Sequence, residues 1–251
     1  MKKSLVIVPT YNEAENIKKV LKAIINLNIP NLNVLVVDDN SPDGTAKIVQ
    51  EIAEHDPRVR LIQRAGKMGL GTAYVAGFKY ALNEEFDFIF EMDADLSHDP
   101  KEIPRFLEKI EEFDLVIGSR YATGVNVINW PLSRLLISLA ANTYTRVITR
   151  LPVHDCTSGF KCFRREVLES INLDKISSDG YSFQIEMTCK TWRRGFKICE
   201  IPIIFVDRTK GDSKMSSKVM WEAAWVVWRL GLSNLFRKKK FRRHKRPKQT
   251  A

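Results

Sequence analysis

Five short apolar runs in the first half of this chain each lead into a polar loop and then, four times, into a helical pattern. The runs lie at 5–8, 33–37, 58–62, 86–91 and 115–118, and the helical patterns at 14–25, 45–54, 72–82 and 101–110. Strands that alternate with helices build βαβ units, so the chain is predicted to be an α/β protein with a mostly parallel sheet flanked by helices. Ligands in such sheets bind beyond the carboxyl ends of the strands. That edge gathers Tyr11, Glu13, Asp38, Asp39, Lys67, Asp93, Asp95 and Arg120. The second half is less regular. It reads as an apolar helix over 131–149, a strand over 158–164, a helix over 181–193, a strand over 198–205 interrupted at Pro202, and a tryptophan-rich helix over 215–236.

The loop with the most chemistry follows the fourth run, where Phe88-Ile89-Phe90-Glu91-Met92 leads into Asp93-Ala94-Asp95. Two carboxylates separated by one small residue at a strand end can converge on a hard cation, which prefers oxygen ligands. A nucleoside diphosphate needs such a cation to neutralise its oxygens. The plain alternative is a pair of solvated turn residues, since Asp is common in turns. Pro9 to Glu13 opens a helix, whose N-terminus favours anions, and Tyr11 offers a ring for a base. In Asp38 to Thr45, Asp39 is the ligand-facing candidate, while Ser41, Pro42, Asp43 and Gly44 are turn formers. The glycine-rich run 66–73 lacks the spacing and the Lys-Ser/Thr ending of an ATP-binding loop. It reads as close backbone packing near a nucleotide.

The net charge of +10 does not describe the whole chain. Residues 237–248 carry nine Lys or Arg and no acid, and removing those nine from +10 leaves +1. A near-neutral body with a basic tail is not the signature of a uniformly basic nucleic-acid binder. The four cysteines form no C-x-x-C pair and no His cluster accompanies them, which reads as reduced thiols in the cytosol. No stretch has the uncharged apolar length of a spanning helix, so the expectation is a soluble or peripheral protein.

Taken together, VPTYNE (8–13), VVDDNSPDGT (36–45), GKMGLGTA (66–73), MDADLSHDP (92–100) and GSRY (118–121) resemble, in this order and spacing, the inverting family 2 glycosyltransferases with a GT-A, Rossmann-like fold. Beyond residue 118 the resemblance narrows to the polyprenol-phosphate sugar transferases of the dolichol-phosphate mannose synthase type. The later pieces are Ser133-Arg134, Thr157 to Phe160, Asp179 to Glu186 and Asp207 to Met215, so the match covers roughly residues 4–235. The resemblance implies a GDP-mannose donor, a polyprenyl-phosphate acceptor, and Mg²⁺ or Mn²⁺ as cofactor. By the same likeness Pro9, Tyr11, Glu13 and Asp39 would hold the guanine nucleoside, with Lys67 nearby. Asp93, the backbone of Ala94, and Asp95 would surround metal and diphosphate. Ser97 stands where relatives often carry Gln. Arg120, Arg134, Arg208 and Lys214 would bind phosphates, with Ser133, Arg134 and Arg208 on the acceptor side, and Asp95, Arg120, Arg208 and Lys214 would carry catalysis. Other readings remain open. One is a different donor such as UDP-glucose. Another is a sugar-hydroxyl acceptor in polysaccharide synthesis, for which Asp179 and Glu186 are the candidate bases. A remote one is a nucleic-acid-binding protein.

An enzyme that meets a lipid acceptor needs a membrane side. Trp221, Trp225, Trp228 and Leu232 recur at helical spacing, and a Trp-bearing amphipathic helix followed by Lys and Arg suits a membrane interface. The same stripe could instead be domain core. The chain is therefore expected to divide into a catalytic domain (1–214), an amphipathic interface helix (215–236) and a basic, disordered tail (237–251). It is expected to work peripherally on the cytoplasmic face of an anionic membrane, either by direct binding or through a small membrane-anchoring protein.

Overall fold

The structure is a computed structural model that describes residues 2–207 and 224–232. Its first strands are β1 (Ser4–Thr10), β2 (Leu32–Asp38), β3 (Val59–Gln63), β4 (Phe88–Glu91) and β5 (Leu115–Ser119). The helices between them are α1 (Ile17–Ile25), α2 (Thr45–Ala53), α3 (Leu70–Asn83) and α4 (Ile103–Lys109), the last preceded by a 3₁₀ turn at Pro100–Glu102. The chain continues through β6 (Val127–Ile128), α5 (Leu132–Thr149), β7 (Lys161–Arg164), α6 (Arg165–Ser170), α7 (Gly180–Arg193), β8 (Ile198–Pro202) and β9 (Phe205–Val206). Residues 224–232 are helical.

Seven strands form one sheet in the order β3-β2-β1-β4-β7-β5-β8, parallel except for β7. Strand alternation splits the core into two layers. Leu5, Ile7, Leu35 and Val37 face α3, α6, α7 and the helix at 224–232, while Val6, Val8, Val34 and Val36 face α1, α2 and α4. Gly77 lets α3 lie directly on β1, since a Cβ there would sit 2.6 Å from Ile7.

Two features position the site. β1 has β2 on one side and β4 on the other, so the chain reverses its direction of travel across the sheet there, and a crevice opens at such a switch point. β7, inserted antiparallel between β4 and β5, pairs Lys161 with Glu91. Being antiparallel, it begins where β4 ends. The loop just before it, Asp155 to Phe160, therefore opens at the same edge, with Gly159 against Asp93.

The predicted strand over 198–205 is two. β8 ends at Pro202, and Phe205–Val206 leaves the main sheet to pair with Val127–Ile128 in a two-stranded ribbon. Proline lacks the N–H that a continued ladder needs. The predicted strand over 158–164 begins only at Lys161. The short α6 and β6 carry too few residues for a period to show. Of the predicted 215–236 helix, only 224–232 is described. Trp221, Arg208, Lys214 and the 237–251 tail lie outside the described residues.

Candidate active site

At the switch point lies a polar cavity of about 400 Å³. Pro9, Tyr11 and Glu13 enter it from the end of β1, Asp39 from the end of β2, Lys67 from the loop after β3, and Asp93, Ala94 and Asp95 from the end of β4. Every residue expected at the nucleotide is in its wall. Asp38 is fully buried and serves the scaffold instead: its carboxylate accepts from Thr10 Oγ1 (2.8 Å), Ser41 N (2.9 Å) and Ser41 Oγ (2.6 Å), which fixes the turn into α2. Asp39 is anchored on both oxygens, accepting from Arg64 Nε (2.5 Å) and from the backbone N–H of Met68 (2.9 Å). Arg64 also donates to Thr72 Oγ1 (2.7 Å) and to the Gly69 carbonyl (3.0 Å), tying the glycine-rich loop to the base end of the cavity. Lys67 Nζ sits 4.3 Å from the centre of the Tyr11 ring, a cation–π contact across the place expected for a base.

Asp93 and Asp95 face the same cavity. Asp95 Oδ1 accepts from the backbone N–H (3.1 Å) and hydroxyl (2.5 Å) of Ser97, so the serine orients the carboxylate. The Asp93 backbone N–H donates to His98 Nδ1 (3.3 Å), and the buried His98 ring stacks on Phe160 at 5.2 Å. Among the described residues no three His, Cys, Asp or Glu side chains gather as a closed metal cage. Two carboxylates at a cavity wall instead fit a hard divalent cation whose other positions are taken by ligand oxygens and water. The opposite wall is Gly159, where a Cβ would lie 3.3 Å from Asp93 Oδ2.

A second cavity of about 360 Å³ lies between α5 and the helix at 224–232. Its walls are mostly apolar, with Ile137, Ala141, Ile185 and Val227, and its polar end holds Arg120 and Arg134. Arg134, Thr157 and Tyr181 line both cavities. Arg120 is buried. It donates Nε (2.7 Å) and Nη2 (2.6 Å) to Asp155 and Nη2 also to Thr157 Oγ1 (2.7 Å). Burial pushes the Asp155 carboxyl up, but the Arg120 guanidinium and backbone donors outweigh it and leave the group below 3.8. Arg134 pairs with Asp207, and its guanidinium lies 4.3 Å from the centre of the Trp130 ring. Ser133 is exposed and in the wall of neither cavity.

The two candidate bases differ in place: Asp179 lines the polar cavity, and Glu186 lines neither cavity. Asp179 Oδ1 accepts from the backbone N–H of Gly71 (2.6 Å), and buried Glu186 pairs with Lys190 (2.8 Å) and accepts from the Ser178 hydroxyl. Burial raises the thiols, Cys189 and Cys199 to about 11, so neither is a thiolate nucleophile near neutrality. Arg64 and Asp155 escape the sequence reading, and so do the ties made by Thr157 and Asp207, which read there only as parts of motifs. Each acts through a partner distant in the chain, and an isolated Arg or Asp carries no spacing signal for that.

The model of glycosyl transferase family 2 matches residues 5–171. The chain belongs to this family. An undecaprenyl-phosphate mannosyltransferase of Micrococcus luteus is 46% identical over 229 residues, spanning 91% of this chain and 94% of that protein. A polyprenol monophosphomannose synthase of Mycolicibacterium smegmatis is 45% identical over 232 residues, spanning 92% and 87%. Among solved structures, a glucosyl-3-phosphoglycerate synthase of Mycobacterium tuberculosis, in complex with Mn²⁺, UDP and glucosyl-3-phosphoglycerate, superposes with a TM-score of 0.66 at 20% identity, over 92% of this chain and 79% of that one. At that identity the likeness speaks for the fold. The chain is thus a family 2 glycosyltransferase of the GT-A architecture.

Proposed function

We propose that the protein transfers mannose from GDP-mannose to a polyprenyl monophosphate, with inversion at the anomeric carbon, giving polyprenyl-phosphate mannose. The observation that carries this reading is the junction of the two cavities. A polar cleft with two carboxylates for a metal-bound diphosphate meets an apolar slot, and Arg134 stands in the wall of both. A lipid phosphate needs that pairing: a cation for its head beside an apolar wall for its first isoprene units. The two mannosyltransferase relatives at 45–46% identity favour mannose and a polyprenyl acceptor.

The chemistry follows from the acceptor's charge. A phosphate monoester is already an anion near neutrality, so its oxygen attacks the anomeric carbon without a general base. The bond from that carbon to the donor diphosphate breaks, and its electron pair leaves with GDP. What the protein supplies is alignment of two anions and stabilisation of the leaving charge. Asp93 and Asp95 would hold Mg²⁺ or Mn²⁺, which contributes neutralisation of the diphosphate. Pro9, Tyr11, Glu13, Asp39 and Lys67 hold the nucleoside. Arg134 and the Asp155-braced Arg120 receive the acceptor phosphate; from the sequence, Arg208 and Lys214 are assigned phosphate binding and catalysis, and Ser133 an acceptor-phosphate contact. Glu186 lines neither cavity, and Asp179, in the wall of the polar one, is held by the Gly71 N–H; a phosphate acceptor needs neither as a base.

The acceptor side also carries the apolar surface. Leu132, Leu136 and Val147 on α5 are 57–69% exposed, and Trp225 and Trp228 are 65% and 52% exposed, while Val226, Val227 and Leu230 of the same helix are core. No helix among the described residues is long and apolar enough to cross a membrane. We assign this face to the cytoplasmic leaflet, with the basic run at 237–248 drawn to anionic lipid.

The test is to incubate the protein with a polyprenyl phosphate, Mn²⁺ or Mg²⁺, and either GDP-mannose or UDP-glucose, and to identify the lipid product by mass spectrometry. Polyprenyl-phosphate mannose from GDP-mannose supports the reading. A glucosyl lipid alone reassigns the donor, and no lipid product from any donor overturns it.

A further inference from the structure

Beneath the Asp93 strand end lies a buried charged cluster that the proposed reaction does not use. Glu91, the last residue of β4, is fully buried, and so is Lys161, its cross-strand partner on β7. Lys161 Nζ lies 3.9 Å from Glu91 Oε2. The same ammonium donates to the Gln184 backbone carbonyl (3.0 Å) and to Gln184 Oε1 on α7. Gln184 is 2% exposed, and it stands in the wall of the polar cavity together with Asp93. Around this cluster the buried Glu91 carboxylate faces Gln184 and the buried Tyr74 hydroxyl faces Asp93, but neither contact reaches normal hydrogen-bond geometry.

Such a cluster is an expensive thing to keep in the middle of a sheet. Removing two charges from water costs more than an imperfect pair returns, and apolar replacements of similar volume are often neutral or stabilising. Each unsatisfied buried polar group adds its own desolvation penalty. Every neighbouring strand position along this layer, Ile7, Ile89, Ile117 and Phe163, is apolar and well packed. Stability therefore gives no reason for Glu91 and Lys161, whereas their location does. Glu91 precedes Asp93 by two residues, so the two side chains leave the chain on the same side if the strand geometry continues. Lys161 links that strand end to Gln184, a side chain of α7 that stands in the cavity wall.

We propose that Lys161 is a positioning residue for the donor diphosphate: held between Glu91 and Gln184, its ammonium locks the end of β4 and the Gln184 side chain in the arrangement that the metal-bound diphosphate requires. This inference rests on the donor site assigned above, and deepens it by naming a buried group that acts through others. The pair would then be kept for preorganisation at the expense of stability, as happens at functional sites that violate packing rules.

The decisive variant replaces both charges at once, Glu91→Leu with Lys161→Met, so that neither is left alone. We expect it to fold with a melting temperature equal to or above that of the wild type. We also expect about a tenfold or greater loss in kcat and a similar loss in Mn²⁺-dependent GDP affinity by calorimetry. A merely structural pair would leave both unchanged, and wild-type kcat and GDP affinity in this variant overturn the proposal. Gln184→Leu is the companion. It leaves the ion pair and the bond to the residue-184 carbonyl in place but removes the Oε1 acceptor of the buried ammonium, so the melting temperature should fall somewhat, and kcat and GDP affinity, measured well below it, should fall as well. If the double variant does not fold, Gln184→Leu decides alone, with wild-type kcat and GDP affinity overturning the proposal. Wild-type protein run alongside separates the two readings, because failure of the wild type to make a mannosyl lipid counts against the assigned reaction and not against Lys161.

Discussion

The nucleotide half and the acceptor half of this molecule are built in different ways. Up to Ser119 the site residues hang from the ends of consecutive parallel strands, and the sheet ladder holds their backbones in register, with one buried ion pair, Arg64 with Asp39, bracing the base end. From Arg120 onward the polar residues at the second cavity are placed by pairs distant in sequence, Arg120 with Asp155 and Arg134 with Asp207. A sheet-borne site tolerates the loss of one side chain, because its neighbours keep their places. A site braced by ion pairs does not, because each removal strands a charge. The contrast makes three predictions.

The largest effect should come from Asp155→Ala. It leaves Arg120 buried and unpaired, which destabilises a protein by about 3–5 kcal/mol. The pH dependence has a definite sign. Asp155 is held below 3.8 in the folded protein, so its contribution is present above the unfolded carboxylate value and is lost as pH falls through the lowered folded value. The gap in melting temperature between wild type and variant should be widest at neutral pH and should narrow below 3.8. If the folded variant still binds GDP while using the acceptor poorly, the two halves are separable. Loss of both together would show one cooperative unit and break the comparison.

Next in size are Asp93→Asn and Asp95→Asn. Each should lower kcat on the order of 10²–10³-fold, by analogy with losing one preorganised group that stabilises transition-state charge. Their backbones belong to the strand end, so circular dichroism and melting temperature should stay near those of the wild type. Near wild-type turnover in both would remove the metal from this loop. Loss of structure would mean that the nucleotide half depends on its side chains as much as the acceptor half does.

The same contrast explains what could be read from the sequence. Runs such as Leu5 to Val8 and Leu115 to Gly118 are apolar because both faces of the sheet are covered, and periodicity reports that directly. The loops after them inherit a known place, so Tyr11, Asp39, Asp93 and Asp95 are legible as one edge of the sheet from the sequence. The motif resemblance supplied what spacing could not, that the acceptor is a lipid phosphate. Arg120 reads as a phosphate binder at the ligand edge, but its brace is not legible: its side chain turns to Asp155, which comes from the loop ahead of an antiparallel strand. An antiparallel insertion into a parallel series leaves no periodic trace. Pro202 did mark the break between β8 and β9, but not that Phe205 would change sheets.

The smallest effect, and the finest test of the contrast, concerns the helix at 224–232. Its sequence spacing allowed either a core stripe or an interfacial one. The structure separates the two sets: Val226, Val227 and Leu230 are buried beneath α5 and α7, while Trp225, Trp228 and Leu232 are 47–65% exposed. Tryptophans this exposed have little to contribute to folding. Trp225→Ala and Trp228→Ala should therefore shift stability by less than about 0.5 kcal/mol, the usual range for surface positions. Each should weaken attachment to anionic vesicles by on the order of 1 kcal/mol, part of the transfer free energy of a large apolar side chain. The loss should persist at high salt, because burial of apolar surface is not screened as charge attraction is. Val226→Ala should do the reverse, lowering the melting temperature and leaving vesicle binding alone. Turnover on a short, soluble polyprenyl phosphate should survive the tryptophan changes, since the cavity walls stay in place. Equal vesicle co-sedimentation of wild type and the double tryptophan variant would detach this face from the membrane. A fall in thermal stability would return the tryptophans to the core.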